Sequence, residues 1–319
     1  MSEKNPIILV CEPLAQAPMA WLKGVAQVVE GGCACEAFAA SAQDATGLVV
    51  RTYTNVDRAL LDRLPNLKVV GRAGVGVDNI DLDACAARGV TVVHTPDANT
   101  QAVVEYVVCL LADALRPRVF LDHALPLDQW EHARSEIVAS RQMSELTLGI
   151  LGCGRVGSRV AEVAQAIGFR VLFNDLLNVT PAHASSAMRV DAAKLFRESD
   201  ILSIHIDGRP SNRDFVGAPI IGLMRSDVVV INTSRGMVLQ TEALALFLQA
   251  NPKARAILDV HDPEPFTADN PLVQIPNAFL APHLASRTET AMTNMSWVVR
   301  DVIEVAMGRS PKFQVGFKA

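Results

Sequence analysis

Residues 148–157 read Leu148-Gly149-Ile150-Leu151-Gly152-Cys153-Gly154-Arg155-Val156-Gly157. A short apolar run of strand type leads straight into Gly-x-Gly-x-x-Gly, and a helical pattern follows from Arg155 to about Ile167. Each glycine has its own task in such a turn. Gly152 permits the tight bend, Gly154 lets backbone N–H groups approach a pyrophosphate, and Gly157 lets the helix pack on the strand. Arg155 and Val156 complete the expected cofactor loop. Alone, the motif is weak, because glycine-rich turns are common. Its context strengthens it: a strand before, a helix after, and Asp175 closing the next strand about twenty residues on. The Asp175 carboxylate is placed to accept from a ribose 2′-hydroxyl and would repel a 2′-phosphate. Leu176 and Leu177 offer no arginine for that phosphate, so NAD is favoured over NADP.

Outward from this turn the pattern repeats. Leu148–Leu151, Arg170–Phe173, Ile201–Ile206, Val228–Ile231, Ala254–Val260 and Ala278–Ala281 read as strands with helical stretches between most of them. Before it, Ile7–Val10, Leu48–Val50, Leu67–Val70 and Val90–Val93 read as strands of a second parallel sheet, continuous in apolar character because both faces would be covered. The segment near Cys33–Ala45 is rich in small residues and reads as surface helix or loop. Asn99 or Thr100 is placed to cap a helix running to Arg116, stopped by Pro117. Val103, Val104, Val107, Val108, Leu110 and Leu111 make it apolar on most faces, as expected of a helix between domains or between subunits. Ser286 with Glu289 reads as a capping box opening a last helix that runs to Gly308. The fold class expected is α/β, with two doubly wound parallel-sheet (Rossmann-like) domains. One is discontinuous, residues 1–98 and 287–319; the other is residues 99–286.

Composition narrows the function. Of 319 residues half are apolar and a fifth charged, so a large core is available and wholesale disorder is excluded. A net charge of -5 and 5% aromatics argue against a nucleic-acid partner. No run of 18 apolar residues occurs, so no membrane span is expected. The cysteines, Cys11, Cys33, Cys35, Cys85, Cys109 and Cys153, contain no Cys-x-x-Cys, and most sit in apolar runs as buried thiols would. A reducing, cytoplasmic location is the simpler inference. His-Glu-x-x-His and similar spacings are absent, and no metal is expected.

Ligands of open α/β sheets bind beyond the carboxyl ends of strands. Arg235 follows Val228–Ile231, Glu264 follows Ala254–Val260, and His283 follows Ala278–Ala281. Singly, each reads as an ordinary loop residue. Together they make a complete chemical set. Arg offers a fork for a carboxylate and charge for an oxyanion, and His moves a proton near neutral pH. Glu beside His orients the ring and favours its protonated form. His205 reads as structural and His261 as a competitor for the acid/base role. His94, His123, His132 and His183 suggest no partner.

With these residues in view, nearly the whole chain resembles the D-isomer-specific 2-hydroxyacid dehydrogenases. The resemblance rests on Gly71-Arg72-Ala73-Gly74-Val75-Gly76-Val77-Asp78-Asn79-Ile80-Asp81, the glycine loop at 152–157, Asn232–Gly236, Pro263-Glu264-Pro265 and Pro282-His283. It implies a catalytic set of His283 as acid/base, Glu264 as its partner and Arg235 as carboxylate anchor. It also implies cofactor contacts at Thr233 and Asp259, the latter to the nicotinamide amide. Backbone at Val75 and Gly76 is implied to meet the substrate carboxylate, in a discontinuous substrate domain. Two departures stand out: Leu284-Ala285-Ser286 replaces the frequent glycines after the histidine, and Asp207-Gly208-Arg209 follows His205-Ile206 where a proline is frequent. The expected reaction is hydride transfer between NAD and C2 of a small anionic 2-hydroxy or 2-keto acid, with domain closure bringing the carbons to roughly 3–3.5 Å. Val50-Arg51-Thr52 and Gly71–Gly74 look most like 3-phosphoglycerate dehydrogenases, with Arg51 and Arg72 either as charges for a second anionic group or as structural salt-bridge partners. The chain's end at Ala319 suggests no C-terminal regulatory domain. Glyoxylate, hydroxypyruvate or another 2-keto acid is the alternative substrate. An NAD-sensing, corepressor-like binding protein is the alternative of another class. Members pair through the Thr100–Leu115 region, so a homodimer is expected.

Overall fold

Both sheets grow from short β-branched runs whose neighbouring residues face opposite ways, so each strand feeds two cores. The computed structural model describes residues 5–116, 118–179 and 186–316. The chain divides into two units, Met1–Thr100 with Ser286–Ala319, and Gln101–Ala285.

The first hundred residues give β1 (Ile7–Val10), α1 (Gln16–Val25), β2 (Gln27–Glu30), α2 (Glu36–Ser41), β3 (Gly47–Val50), α3 (Arg58–Asp62), β4 (Val69–Arg72), α4 (Leu82–Ala87) and β5 (Thr91–Val93). The sheet order is β2-β1-β3-β4-β5, all parallel. Leu9, Leu48, Val70 and Val92 feed one core, while Ile8, Val49, Val69 and Val93 feed the other.

The second unit holds α5 (Thr100–Leu115, entered from the last residue of the first unit), α6 (Leu127–Glu136), β6 (Thr147–Leu151), α7 (Arg155–Ile167), β7 (Arg170–Asn174), β8 (Met188–Arg189), α8 (Ala192–Glu198), β9 (Ile201–Ile204), α9 (Ala218–Ile221), β10 (Val229–Asn232), α10 (Thr241–Ala250), β11 (Arg255–Leu258) and β12 (Ala278–Leu280). Its sheet runs β12-β11-β10-β9-β6-β7-β8, again all parallel. The order reverses between β6 and β9, the switch point where such sheets bind ligands.

The chain then returns to the first unit as α11 (Glu289–Ser296) and α12 (Val299–Ala306). Val299, Val302, Ile303 and Ala306 pack with Ile8 and Val69. Gly71 makes this approach possible: a Cβ there would stand 2.3 Å from Val302 Cγ2.

Several elements differ from the sequence expectation. The cap of α11 is Thr288, whose hydroxyl accepts from Ala291 N at 3.1 Å, not Ser286. The single last helix is two helices divided at Trp297 and Val298. Edge strands β2 and β8 were not anticipated; β2 has only two apolar residues and β8 is two residues long. Helix α5 buries Val103, Val104, Val107 and Leu111 but exposes Gln101, Glu105 and Cys109, so it is not apolar all round. Its stop residue Pro117 lies outside the described residues.

Candidate active site

The glycine loop leaves β6 with Gly152 at φ 90°, where a Cβ would meet the His205 backbone at 2.9 Å. A Cβ on Gly157 would stand 2.0 Å from Gly152 O, so the first turn of α7 lies against the loop. Around Gly154 a Cβ would meet nothing within 4 Å. That open space lies at the N-terminus of α7, where a helix receives a phosphate. Asp175 follows β7. Its Oδ2 accepts from Cys153 N at 2.7 Å and its Oδ1 from Leu177 N at 2.8 Å. The acid is thereby fixed beside the loop with lone pairs to spare for a ribose diol. Arg189, on β8, donates to the Asp175 carbonyl at 2.8 Å and to Asn178 Oδ1 at 2.8 Å. A search for an arginine next to Asp175 in sequence does not find it, because the sheet supplies it from fourteen residues away. Thr233 Oγ1, just past β10, is buried with no hydrogen-bond partner among the described residues. An open cradle, a fixed acid and an orphaned hydroxyl suit a dinucleotide.

Three neighbouring strands carry the chemical groups. Asn232 pairs with Leu258 and Leu258 with Leu280, so Arg235, Glu264 and His283 all leave the same end of the sheet. Asn232 shapes the first loop: its Nδ2 donates to Arg235 O and its Oδ1 accepts from Ser234 N and Oγ. Gly236 follows because a Cβ there would stand 2.0 Å from the His261 carbonyl carbon. Arg235 Nη1 donates to Ser234 O at 2.7 Å.

His283 takes a left-handed backbone, φ 55°, which costs a non-glycine residue energy. The cost is met by Asp259, almost wholly buried at 1% exposure. Its carbonyl accepts from His283 N at 3.0 Å, and its two carboxylate oxygens accept from Leu284 N at 2.7 Å and Ala285 N at 2.9 Å. Burial raises the Asp259 carboxyl despite those two donors. Tyr106 on α5 also shares this charge, and burial followed by Asp259 raises its phenol. The family resemblance implies a nicotinamide contact for Asp259; in the structure its carboxylate ties down the turn carrying His283.

His283 Nδ1 lies 2.9 Å from Glu264 Oε2, with 28% and 23% of the side chains exposed. A carboxylate only accepts, so the ring proton sits on Nδ1 and Nε2 is left to meet a substrate. Glu264 Oε1 is buried without a partner among the described residues. The competing histidines are occupied. His261 Nε2 bonds Ala281 O at 2.8 Å and its ring meets Phe266 edge-on. His205 is half-buried as a residue, but its ring is enclosed, and that desolvation lowers it to about 4; Ser203 Oγ bonds it at 2.8 Å.

The remaining expected substrate residues lie in the first unit. Glu12 accepts from the N–H groups of Arg51, Thr52, Tyr53 and Thr54, and holds Arg51's segment in place. Burial and the nearby Arg287 charge lower the Arg51 guanidinium. Arg287 is a second cation that the sequence reading passed over. The Val75 carbonyl is bonded by His94 Nδ1 at 2.8 Å, so His94 has a partner after all. Arg72 donates to Ala73 O at 3.3 Å, and its Nη1 occupies the place of a Cβ on Gly74. Next to that loop Gly76 is half-buried. His183 lies outside the described residues. Among the described residues no group of three His, Cys, Asp or Glu side chains is arranged to hold a metal ion, and no helix is long and apolar enough to cross a membrane.

Residues 108–285 match the family model described as D-isomer specific 2-hydroxyacid dehydrogenase, NAD binding domain. The chain is 31% identical over 305 residues to D-3-phosphoglycerate dehydrogenase of Archaeoglobus fulgidus, covering 94% of this chain and 57% of that protein. It is 33% identical over 282 residues to glyoxylate reductase of Aeropyrum pernix, covering 86% of this chain and 84% of that protein. The chain thus spans little more than half of the first relative and most of the second. Among solved structures, the TT0316 protein from Thermus thermophilus superposes with a TM-score of 0.81 at 29% identity, covering 97% of this chain and all of that one.

Proposed function

The chain belongs to the D-isomer-specific 2-hydroxyacid dehydrogenases, and from that premise we propose that it is an oxidoreductase moving a hydride between NAD and C2 of a small anionic 2-hydroxy or 2-keto acid. The observation that carries the reading is the His283–Glu264 pair at 2.9 Å, at the same sheet end as Arg235 and near a dinucleotide cradle. NAD, held by the cradle, would supply the hydride acceptor for oxidation and, when reduced, the hydride donor for reduction. Everything else falls to the protein. In oxidation His283 Nε2 takes the hydroxyl proton as the hydride leaves; in reduction it gives the proton back. Glu264 keeps the ring in the tautomer that leaves Nε2 free. Arg235 holds the carboxylate and stabilises charge on the C2 oxygen. Asp175 takes the ribose, Thr233 and Asp259 the nicotinamide half, and the Gly152–Gly157 loop the pyrophosphate.

For substrate we propose an acid with a second anionic group, such as 3-phosphoglycerate. Arg51, half-buried with Arg287's charge nearby, supports this, as does the Archaeoglobus fulgidus relative. Val75 and Gly76 are assigned the substrate carboxylate. The second substrate reading, glyoxylate or hydroxypyruvate, is favoured by the Aeropyrum pernix relative, most of whose length this chain covers. The test is NADH oxidation with phosphohydroxypyruvate, hydroxypyruvate and glyoxylate. Turnover is expected, with the highest kcat/KM for the phosphorylated acid. A higher value for glyoxylate reverses the substrate order. NADH binding without turnover of any acid overturns the enzyme reading in favour of an NAD-sensing binding protein.

A further inference from the structure

The first unit gathers three cysteines at the carboxyl ends of two paired strands. Cys11 follows β1 and Cys33 lies three residues beyond β2, and their sulfurs stand 3.3 Å apart. Register fixes this meeting, because Val10 pairs with Glu30 and Gly31 N donates to Val10 O. Cys35 is differently engaged: it caps α2, accepting from Phe38 N. Cys11 is buried and Cys33 half-exposed. Arg63 donates to the Cys33 carbonyl at 2.6 Å and stacks 4.9 Å over the Phe38 ring, which holds a cation beside the thiol. A cleft of 490 Å³, lined by Cys33, Tyr53, Thr54, Asn55 and Arg63 among others, opens at this point.

We propose that Cys33 and Cys11 form a thiol–disulfide exchange site, with the cleft and Arg63 receiving a low-molecular-weight disulfide that carries carboxylates. The Cys33 thiolate attacks one sulfur of the incoming disulfide, forms a mixed disulfide and releases one thiolate. Cys11 then loses its proton and attacks Cys33 Sγ. The mixed S–S bond breaks, a Cys11–Cys33 bond forms and the second small thiolate leaves. Two protein thiols are oxidised, the incoming disulfide takes the two electrons, and both protons end on its two thiols or in solvent.

The division of labour follows from the surroundings. Donation from the Cys11 thiol lowers Cys33 to about 7 against its burial, and the Arg63 charge assists. The same bond, with burial, pushes Cys11 far above the ordinary thiol range. Consuming the Cys33 charge removes the main cause holding the Cys11 proton, so the second attack is enabled by the first. Closing the bond needs the sulfurs to approach by about 1.3 Å from 3.3 Å. Glu12 adjoins Cys11 and carries the four N–H bonds of the Arg51–Thr54 segment, so the movement is passed to that segment.

The test treats the reduced, intact chain with oxidised glutathione at neutral pH and maps thiols by peptide mass spectrometry. A free cysteine-containing peptide with an ordinary thiol, added to the same reaction, is the reference. At pH 7 a thiol with pKa about 7 has roughly a fifteenfold larger thiolate fraction than an ordinary one, offset about fivefold by lower nucleophilicity. Cys33 is therefore expected to react about threefold faster than the reference peptide. The expected product is a Cys11–Cys33 linked peptide, reversed by dithiothreitol. Cys11→Ala should stop at the Cys33 mixed disulfide, and Cys33→Ala should leave Cys11 unreacted. Amide exchange at 51–54 should quicken in the oxidised wild type, a readout that holds even if a variant misfolds. Reaction of the reference peptide ahead of Cys33, a Cys33–Cys35 bond instead, or unchanged exchange at 51–54 overturns the proposal.

Discussion

His283 works from a backbone conformation that its own side chain disfavours, and the turn that imposes it is held by Asp259. Removing the ring and removing the anchor should therefore look different. His283→Ala is expected to lower kcat/KM by roughly 10²–10⁴, the usual worth of a positioned acid/base, while NADH binding persists. Steady-state rates beside fluorescence titration of NADH check this; a wild-type rate transfers the role elsewhere. Asp259→Asn turns an amide N–H₂ toward a backbone N–H in the interior. It should lower both the melting temperature and kcat/KM, with about 1–3 kcal/mol of stability lost. Cofactor choice is expected to turn on single residues as well. The Asp175 carboxylate should favour NADH over NADPH by tenfold or more, which takes only about 1.4 kcal/mol of repulsion. Asp175→Ala should narrow the ratio of the two dissociation constants, because Arg189 is held on the neighbouring carbonyl and can meet the phosphate. Adding Arg189→Ala should restore part of the preference. Equal wild-type affinities would remove the role given to Asp175. Arg235, Glu264 and His283 were legible because position after a strand and side-chain chemistry are both local. Arg189 and the anchoring by Asp259 were not, since each depends on residues 14 to 26 positions apart brought together by the sheet.

Elements show the same split between local and distant causes. The central strands were readable because both their faces are buried and the apolar run is unbroken. Edge strand β2 has only two apolar residues, flanked by polar ones, and is only partly covered, so it leaves no such signature. Thr288 outcompetes Ser286 as a cap because its hydroxyl reaches Ala291 N, a choice between two similar residues that spacing does not decide. Gly71 looked like part of a family motif; its packing reason, the 2.3 Å approach of Val302, involves a helix over 200 residues later and was invisible. The Arg51–Thr54 segment has no regular structure and depends on Glu12. Burial pushes the Glu12 carboxyl up, but donation from Arg51, Tyr53 and Thr54 outweighs it, and the net shift is downward. A folded value below the unfolded one stabilises the fold above the unfolded value. That contribution is lost as pH falls through the folded value. Glu12→Gln, which keeps one oxygen and sets an N–H₂ against backbone donors, should cost about 1–3 kcal/mol at neutral pH. The loss should shrink in acid, where the wild-type carboxylate is itself protonated. Urea unfolding of both proteins at neutral and at acid pH measures this. An equal difference at both values would mean that the Glu12 charge does not support the segment.

On the scale of the molecule, helix α6 has no internal reason to exist. It is ten residues long and none is buried. Isolated helices shorter than about 12–15 residues are marginal in water. The chain before it is also uncovered: Phe120 is 87% exposed, and Leu127 at the start of α6 is 72% exposed. The outer stripe of α5 belongs to the same unit. A second copy of the chain would supply the missing cover, and a homodimer is the state we propose. Fully covering a side chain such as Phe or Leu gains about 1.5–3 kcal/mol. With two copies of each residue contributing, Phe120→Asp combined with Leu127→Asp should shift the equilibrium decisively toward monomer. Neither residue belongs to a sheet or to the His283–Glu264 pair, so each separated chain should keep its fold. Sedimentation velocity at micromolar concentration should give a dimer for the wild type and a monomer for the double variant. Circular dichroism should report the same sheet content in both, with some helix lost if α6 frays. A wild-type monomer at that concentration sinks the proposal. A double variant that stays dimeric would move the interface away from α6.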